Sequence, residues 1–164
     1  MKKVLFICMM AVLGLTGYAQ TEQGTQSVGF DLGYGFDGKN LNLGLDYRYN
    51  LTDEIRLAPS LSHFVRNDNL SAWAIDLNAH YVVKLDEMFG FYPLAGLDLS
   101  FWKYRVDTHL APTHTFKYTR FGVNLGLGGE LYATDQLTLG IEIKYNIIKD
   151  FDQAIIGLRA GYNF

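Results

Sequence analysis

Hydrophobic and polar residues alternate one for one along most of this chain. A period of two is the mark of a β-strand, whose side chains point to opposite faces in turn. Over 27–36, Val28, Phe30, Leu32, Tyr34 and Phe36 form one face; Gly29, Asp31, Gly33 and Gly35 form the other. Over 41–49, Leu41, Leu43, Leu45, Tyr47 and Tyr49 oppose Asn42, Gly44, Asp46 and Arg48. The same pattern predicts strands over 55–65, 71–83, 91–102, 118–132, 137–147 and 154–164. Pro59 removes a ladder donor inside 55–65, so a bulge or local bend is expected there.

Three polar segments echo one another. They are Leu51-Thr52-Asp53-Glu54-Ile55, Lys84-Leu85-Asp86-Glu87-Met88 and Ala133-Thr134-Asp135-Gln136-Leu137. Each centres on Asp and is followed by an apolar residue that restarts the alternation. They read as equivalent turns on one rim. Asp37-Gly38-Lys39-Asn40 is a tight turn by composition. Three turns on one rim, with both ends of the chain there, make eight strands. The fold class is therefore all-β: an eight-stranded, antiparallel, up-and-down β-barrel. The surplus length falls at 103–117, which reads as a long loop.

Alternation alone does not say which face looks inward. A soluble ligand-binding barrel has the apolar face inside; a transmembrane barrel has it outside, against lipid. The polar face here is crowded with small residues, among them Gly29, Gly33, Gly44, Gly96, Gly126, Gly128 and Gly161. A narrow eight-stranded interior needs small residues, whereas on a solvated surface they would only weaken the strands. Charges of both signs share that face. Aromatics such as Tyr47, Tyr81, Phe101, Tyr145 and Tyr162 gather near strand ends, where interfacial girdles sit. The apolar face is expected to be outside, and the barrel transmembrane.

The first residues fit export. Lys2 and Lys3 precede an apolar run from Val4 to Leu15, and Gly17-Tyr18-Ala19 is a small-x-small cleavage site. Residues 1–19 are expected to be a cleaved signal peptide and 20–164 the barrel domain. The single cysteine, Cys8, lies in the signal, so disulfide and thiol chemistry are not expected. The formal charge of −3 falls to −5 without Lys2 and Lys3. There is no basic excess to favour nucleic acid as a partner.

The inward face carries most of the candidate chemistry: Asp31, Asp46, Arg48, Arg56, Asp76, His80, Asp98, Arg120, Glu130, Glu142, Lys144 and Arg159. Buried charges must be paired, so an ion-pair network plugging the lumen is one reading. A polar path for small solutes is the other. Glu130, Glu142, Lys144 and Arg159 come from adjacent strands and are expected to form one cluster. Ser62 and His63 fall on opposite faces, which does not make a catalytic pair. Asp107, His109 and His114 share the 103–117 segment, but their irregular spacing in a loop is poor support for a metal site. Tyr104, Leu110, Pro112 and Phe116 in that loop suit contact with a partner or with lipopolysaccharide. No cofactor motif is present.

The closing stretch, AIIGLRAGYNF, resembles the final strand of bacterial outer-membrane barrels. In that family the terminal Phe is read by the barrel assembly machinery, a role the resemblance gives to Phe164 with Tyr162. Arg159 stands where the family signal usually carries Gly. Over its whole length the chain resembles the OmpA-like and OmpX-like small barrels, and its signal resembles those of Bacteroidetes proteins. The resemblance implies a location in the bacterial outer membrane, among lipid and lipopolysaccharide. It also implies a non-enzymatic structural or interaction role in the envelope. A narrow channel or small-molecule transfer protein is the alternative, and a lipid-modifying enzyme the third. The His-x-Ser spacing of lipid A deacylases is absent: Leu110-Ala111 follow His109, and Thr115-Phe116 follow His114.

Overall fold

The architecture comes from a computed structural model that describes residues 22–67, 70–108 and 111–164. The expected signal peptide and its junction with Gln20 lie outside the described residues. The alternating segments form strands β1 Gln26–Gly35, β2 Asn40–Asn50, β3 Ile55–Asn67, β4 Leu70–Tyr81 and β5 Val83–Lys84. They continue as β6 Phe89–Thr108, β7 Ala111–Tyr132, β8 Leu137–Ile148 and β9 Gln153–Asn163. Every pairing is antiparallel, and β1 closes on β9 from Ser27↔Asn163 to Gly35↔Ile155. β4 and β5 are one barrel strand. His80↔Leu94 and Val83↔Phe91 share a single register, and Pro93, on the facing strand, has no N–H to give between them. The barrel therefore has eight strands, joined each to the next in chain order and closed so that no edge is left unpaired.

The faces divide as the alternation predicts. Phe30, Leu45, Ile75, Leu99, Leu127, Ile143 and Leu158 stand exposed on the outer wall. Asp46, Arg48, Asp76, Asn124, Glu130 and Arg159 are buried in the interior. An inverted barrel of this kind is stable only if lipid covers its outer wall, because water would leave this apolar surface unburied.

The three echoing segments are equivalent turns at one rim. Leu51, Leu85 and Ala133 each donate a backbone N–H to the residue four ahead, at 2.8, 2.8 and 2.9 Å. The following residue donates to the same oxygen at 3.2 Å in all three. This geometry corrects the phase of the middle repeat by one residue. Asp86, not Leu85, takes the place of Thr52 and Thr134. Thr134 Oγ1 accepts from Gln136 N and Leu137 N, and Thr52 Oγ1 from Glu54 N and Ile55 N. Asp86 Oδ1 accepts from Glu87 N at 2.7 Å. A side-chain oxygen one residue into the turn is the shared device.

Two expectations fail. Pro59 makes no bulge: Asp46↔Ser60 and Tyr49↔Leu57 lie in one register around it, and Pro59 pairs with Leu77 in step. The irregularity in this strand falls instead between Phe64 and Asn67. Segment 103–117 is not a loop. β6 and β7 carry on as a ladder through Lys103↔Lys117, Tyr104↔Phe116 and Arg105↔Thr115 to Val106↔His114. The alternation was there to read, with Trp102, Tyr104, Phe116 and Tyr118 on one face and Lys103, Arg105, Thr115 and Lys117 on the other. The last β4 partner of β6 is Tyr104, and the first β8 partner of β7 is Gly122. Residues 111–121 thus have β6 as their ladder partner and rise above the rim as a two-stranded projection.

Candidate functional site

The lumen is filled in layers. At the projecting-hairpin end lies an apolar lid: Phe64, Ala72, Ala74, Trp102 and Ile155, with Leu70 and Phe151 against it. Trp102 stacks on Phe151 at 4.6 Å between ring centroids and on Phe64 at 5.9 Å. Its indole N–H donates to Ser100 Oγ at 3.0 Å, so its polar handle is satisfied.

Below the lid, the charged side chains meet across the barrel. Arg159 on β9 holds Asp46 on β2 through two bonds, Nε to Oδ2 at 2.6 Å and Nη2 to Oδ1 at 2.8 Å. Arg56 on β3 grips Glu130 on β7 in the same forked manner, at 3.2 and 3.0 Å. Arg48 ties the two pairs together, donating to Asp46 at 2.9 Å and to Glu130 at 3.3 Å. Tyr132 Oη adds a bond to Glu130 at 2.6 Å. Lys144 meets Asp76 at 2.7 Å in a separate pair, and Asp98 lies opposite Asp76 across the β4–β6 ladder. Forked Arg–carboxylate pairs fix geometry as well as charge.

Tyr92 is the centre that the pattern did not reveal. Its ring is fully buried and stacks on His80 at 4.5 Å, with the Arg48 and Arg56 guanidiniums 5.2 and 5.1 Å from its centroid. Its hydroxyl donates to Glu142 at 3.0 Å and accepts from Arg48 at 3.2 Å. The run Phe91-Tyr92-Pro93-Leu94 hides the parity, because apolar residues occupy both faces there. The even numbering of Asp98, Ser100 and Trp102 on β6 was the signal that could have placed Tyr92 inside. Close approach demands small neighbours. A Cβ on Gly128 would fall inside the Tyr92 ring, and one on Gly161 inside the Arg159 guanidinium.

Most of the expected lumen residues converge, with three differences. Arg120 sits at the rim, partly exposed, against Asp150 at 3.4 Å and over the Tyr118 ring. It lies high on β7, above the last rows that β8 covers. Asp31 is half-buried beside a small cavity of about 50 Å³, with no ion-pair partner among the described residues. Glu130, Glu142 and Arg159 share one network through Arg48 and Asp46, whereas Lys144 leaves it for Asp76. No ion pair joins two of the four directly among the described residues; each takes a partner from a non-adjacent strand.

At the turn-bearing end the lumen opens into a vestibule of about 710 Å³, floored by Arg48, Arg56 and Arg159. On the outer wall, His63 stacks with Trp73 at 4.4 Å and its Nδ1 meets the Ala72 carbonyl, while Ser62 is buried inside. The two cannot meet. Of the 103–117 segment, His109 and Leu110 lie outside the described residues. Tyr162 and Phe164 project outward at the turn-bearing rim, and Phe164 N donates to Gln26 O at 3.0 Å.

A family model described as the outer membrane protein beta-barrel domain matches residues 11–164. The chain belongs to that family. It is a transmembrane β-barrel of the bacterial outer membrane. In such barrels the short turns face the periplasm and the long hairpins face outward. The N-terminal β-barrel domain of Pseudomonas aeruginosa OprF is similar, with a TM-score of 0.69 and 19% identity, covering 88% of this chain and 100% of that one. Ail, the attachment invasion locus protein of Yersinia pestis, gives 0.64 and 18%, covering 87% of this chain and 100% of its own. The Neisserial surface protein NspA gives 0.55 and 14%, covering 85% and 93%. At these identities the likeness is one of fold. No curated protein matches the chain.

Proposed function

We propose that this barrel is a closed, non-enzymatic envelope protein that works through its outer surface. The sealed lumen carries the reading: an aromatic lid above and two forked Arg–carboxylate pairs below leave between them a cavity of about 50 Å³. The paired network is a plug rather than a path. The β6–β7 projection is the interaction element, with Tyr104, Phe116 and Tyr118 exposed beside Lys103, Arg105 and Lys117. Ail, which shares the fold, has been seen in complex with the heparin analogue sucrose octasulfate. A basic, aromatic projection suits an anionic or carbohydrate partner of that general kind. Lipopolysaccharide and the barrel assembly machinery complete the expected partners. Planar-bilayer recording tests the plug: the purified barrel is expected to give no steady conductance, and a large steady current would overturn the reading.

A channel or small-molecule transfer role is the second reading. It is favoured by the vestibule of about 710 Å³, which brings periplasmic water up to the Arg48–Arg56–Arg159 floor.

A further inference from the structure

We infer that the periplasmic vestibule is a binding site for the free carboxyl end of a short peptide. The inference rests on the turn-bearing end facing the periplasm and stands apart from whether the lumen conducts. Three buried polar side chains converge on one corner of the vestibule: Ser27 on β1, Thr138 on β8 and Arg159 on β9. Gly161 pairs with both Gly29 and Thr138 in the ladder, and the Arg159 guanidinium lies over it. Arg159 commits Nε and Nη2 to Asp46 and Ser27; its Nη1 has no hydrogen bond among the described residues. Ser27 Oγ accepts from Arg159 at 3.2 Å and Thr138 Oγ1 from Asn163 Nδ2 at 3.0 Å, which leaves each hydroxyl its own proton to donate. Lys84 stands across the barrel on β5, with Nζ 5.5 Å from the Tyr132 ring centroid and no ion-pair partner among the described residues.

Charge is ordered with depth. The carboxylates that hold the floor arginines, Asp46, Glu130 and Glu142, do not line the vestibule, so the floor meets periplasmic water as guanidinium. Acid is confined to the mouth. Glu22, Glu87 and Asp135 are exposed there, without an ion-pair partner among the described residues. Donors at the bottom and carboxylates at the entrance suit a zwitterion that enters anion first. A polyanion would meet the acids on entry, and a bare cation would meet the arginines at the floor. A peptide with both ends free carries the matching order of charge. Thr138 stands three residues from Asp135, so the floor lies about 8–10 Å below the mouth once strand tilt is allowed for. Two or three extended residues span roughly that depth. The carboxylate would accept from Arg159 Nη1 and the Ser27 and Thr138 hydroxyls, with the ammonium end among the acids above.

The test is isothermal titration calorimetry on the full-length mature barrel in nonionic detergent micelles, with trialanine as the probe. Trialanine is expected to bind with a Kd of about 0.1–1 mM. Its C-terminal amide is expected to bind about tenfold more weakly, because the charge-assisted bonds are lost. Acetate, which lacks the peptide and the ammonium, is also expected to be about tenfold weaker. Arg159 is left in place because it also holds Asp46. The K84Q/T138V variant, outside the forked pairs, is expected to weaken trialanine about fivefold. K84Q alone, at a half-buried wall position, is expected to weaken it about twofold and guards against a folding defect in the double variant. K149Q, on an outer turn, is expected to bind as wild type does. Absence of binding at about 10 mM trialanine would overturn the inference. So would equal binding of acid and amide, acetate binding as tightly as trialanine, unchanged affinity in K84Q/T138V, or an equal loss in K149Q. None of these outcomes depends on the bilayer recordings that test the plug.

Discussion

Glu130 holds Arg48, Arg56 and Tyr132 together from one carboxylate. Glu130→Ala leaves two buried guanidiniums short of charge, a loss worth roughly 3–5 kcal/mol. The midpoint of urea unfolding in detergent or lipid is expected to fall accordingly, and an unchanged midpoint would mean that the pair holds little. Gly128→Ala tests the other side of the same packing. The new methyl meets the Tyr92 ring, and overpacking of this kind costs about 1–3 kcal/mol. Gly129→Ala is the control, since a Cβ there meets only ordinary contacts. Residues of this kind were half legible. Charge on a small-residue face told that Arg48, Glu130 and Arg159 point inward. It could not tell which acid each arginine meets, because Asp46 and Arg159 are 113 positions apart and partners are set by lumen height and reach.

Strand faces were legible because every strand is wetted on one side and oiled on the other, which forces the period of two. The projection was harder to recognise, because its alternation sets aromatic against cationic residues rather than apolar against polar, and charge so dense passes for a loop. A ladder that pairs only with itself should also be dispensable. Replacing residues 106–114 by Asn-Gly joins Arg105 to Thr115 through a two-residue turn of a favoured type. The shortened barrel is expected to fold to a heat-modifiable form with a thermal midpoint close to wild type. Loss of folding would mean that the projection supports the wall. In the periplasmic turns, Thr134→Ala removes acceptors of two backbone N–H groups and is expected to cost about 0.5–1.5 kcal/mol, read from the same unfolding curve.

The whole molecule is sealed twice by different means. The outer seal is apolar and stacked; the inner seal is ionic and forked. A double seal predicts that no single ion-pair variant conducts freely. Glu130→Ala is expected to admit at most brief, small events in planar bilayers, since Phe64, Trp102 and Phe151 still close the outer end. Glu130→Ala combined with Trp102→Ala is expected to give a sustained current, and its failure to do so would place the barrier elsewhere. The two rims differ in charge: the periplasmic turns carry Asp53, Glu54, Asp86, Glu87 and Asp135 beside Lys84, while the outer turns mix Lys39 and Lys149 with Asp37, Asp150 and Asp152.

At the periplasmic rim, β9 and β1 lie side by side just as β2 and β3 do, with Ser27 opposite Asn163. That junction differs from its three counterparts in having no covalent turn. The order of strands around the barrel is therefore cyclic, and the starting point of the chain is a matter of where the ring was cut. A circular permutant that joins 163 to 26 through a copy of the Leu51-Thr52-Asp53-Glu54 turn, and is opened at 134–135 instead, keeps every cross-lumen pair. Refolding it in lipid should return the same barrel from a rearranged gene.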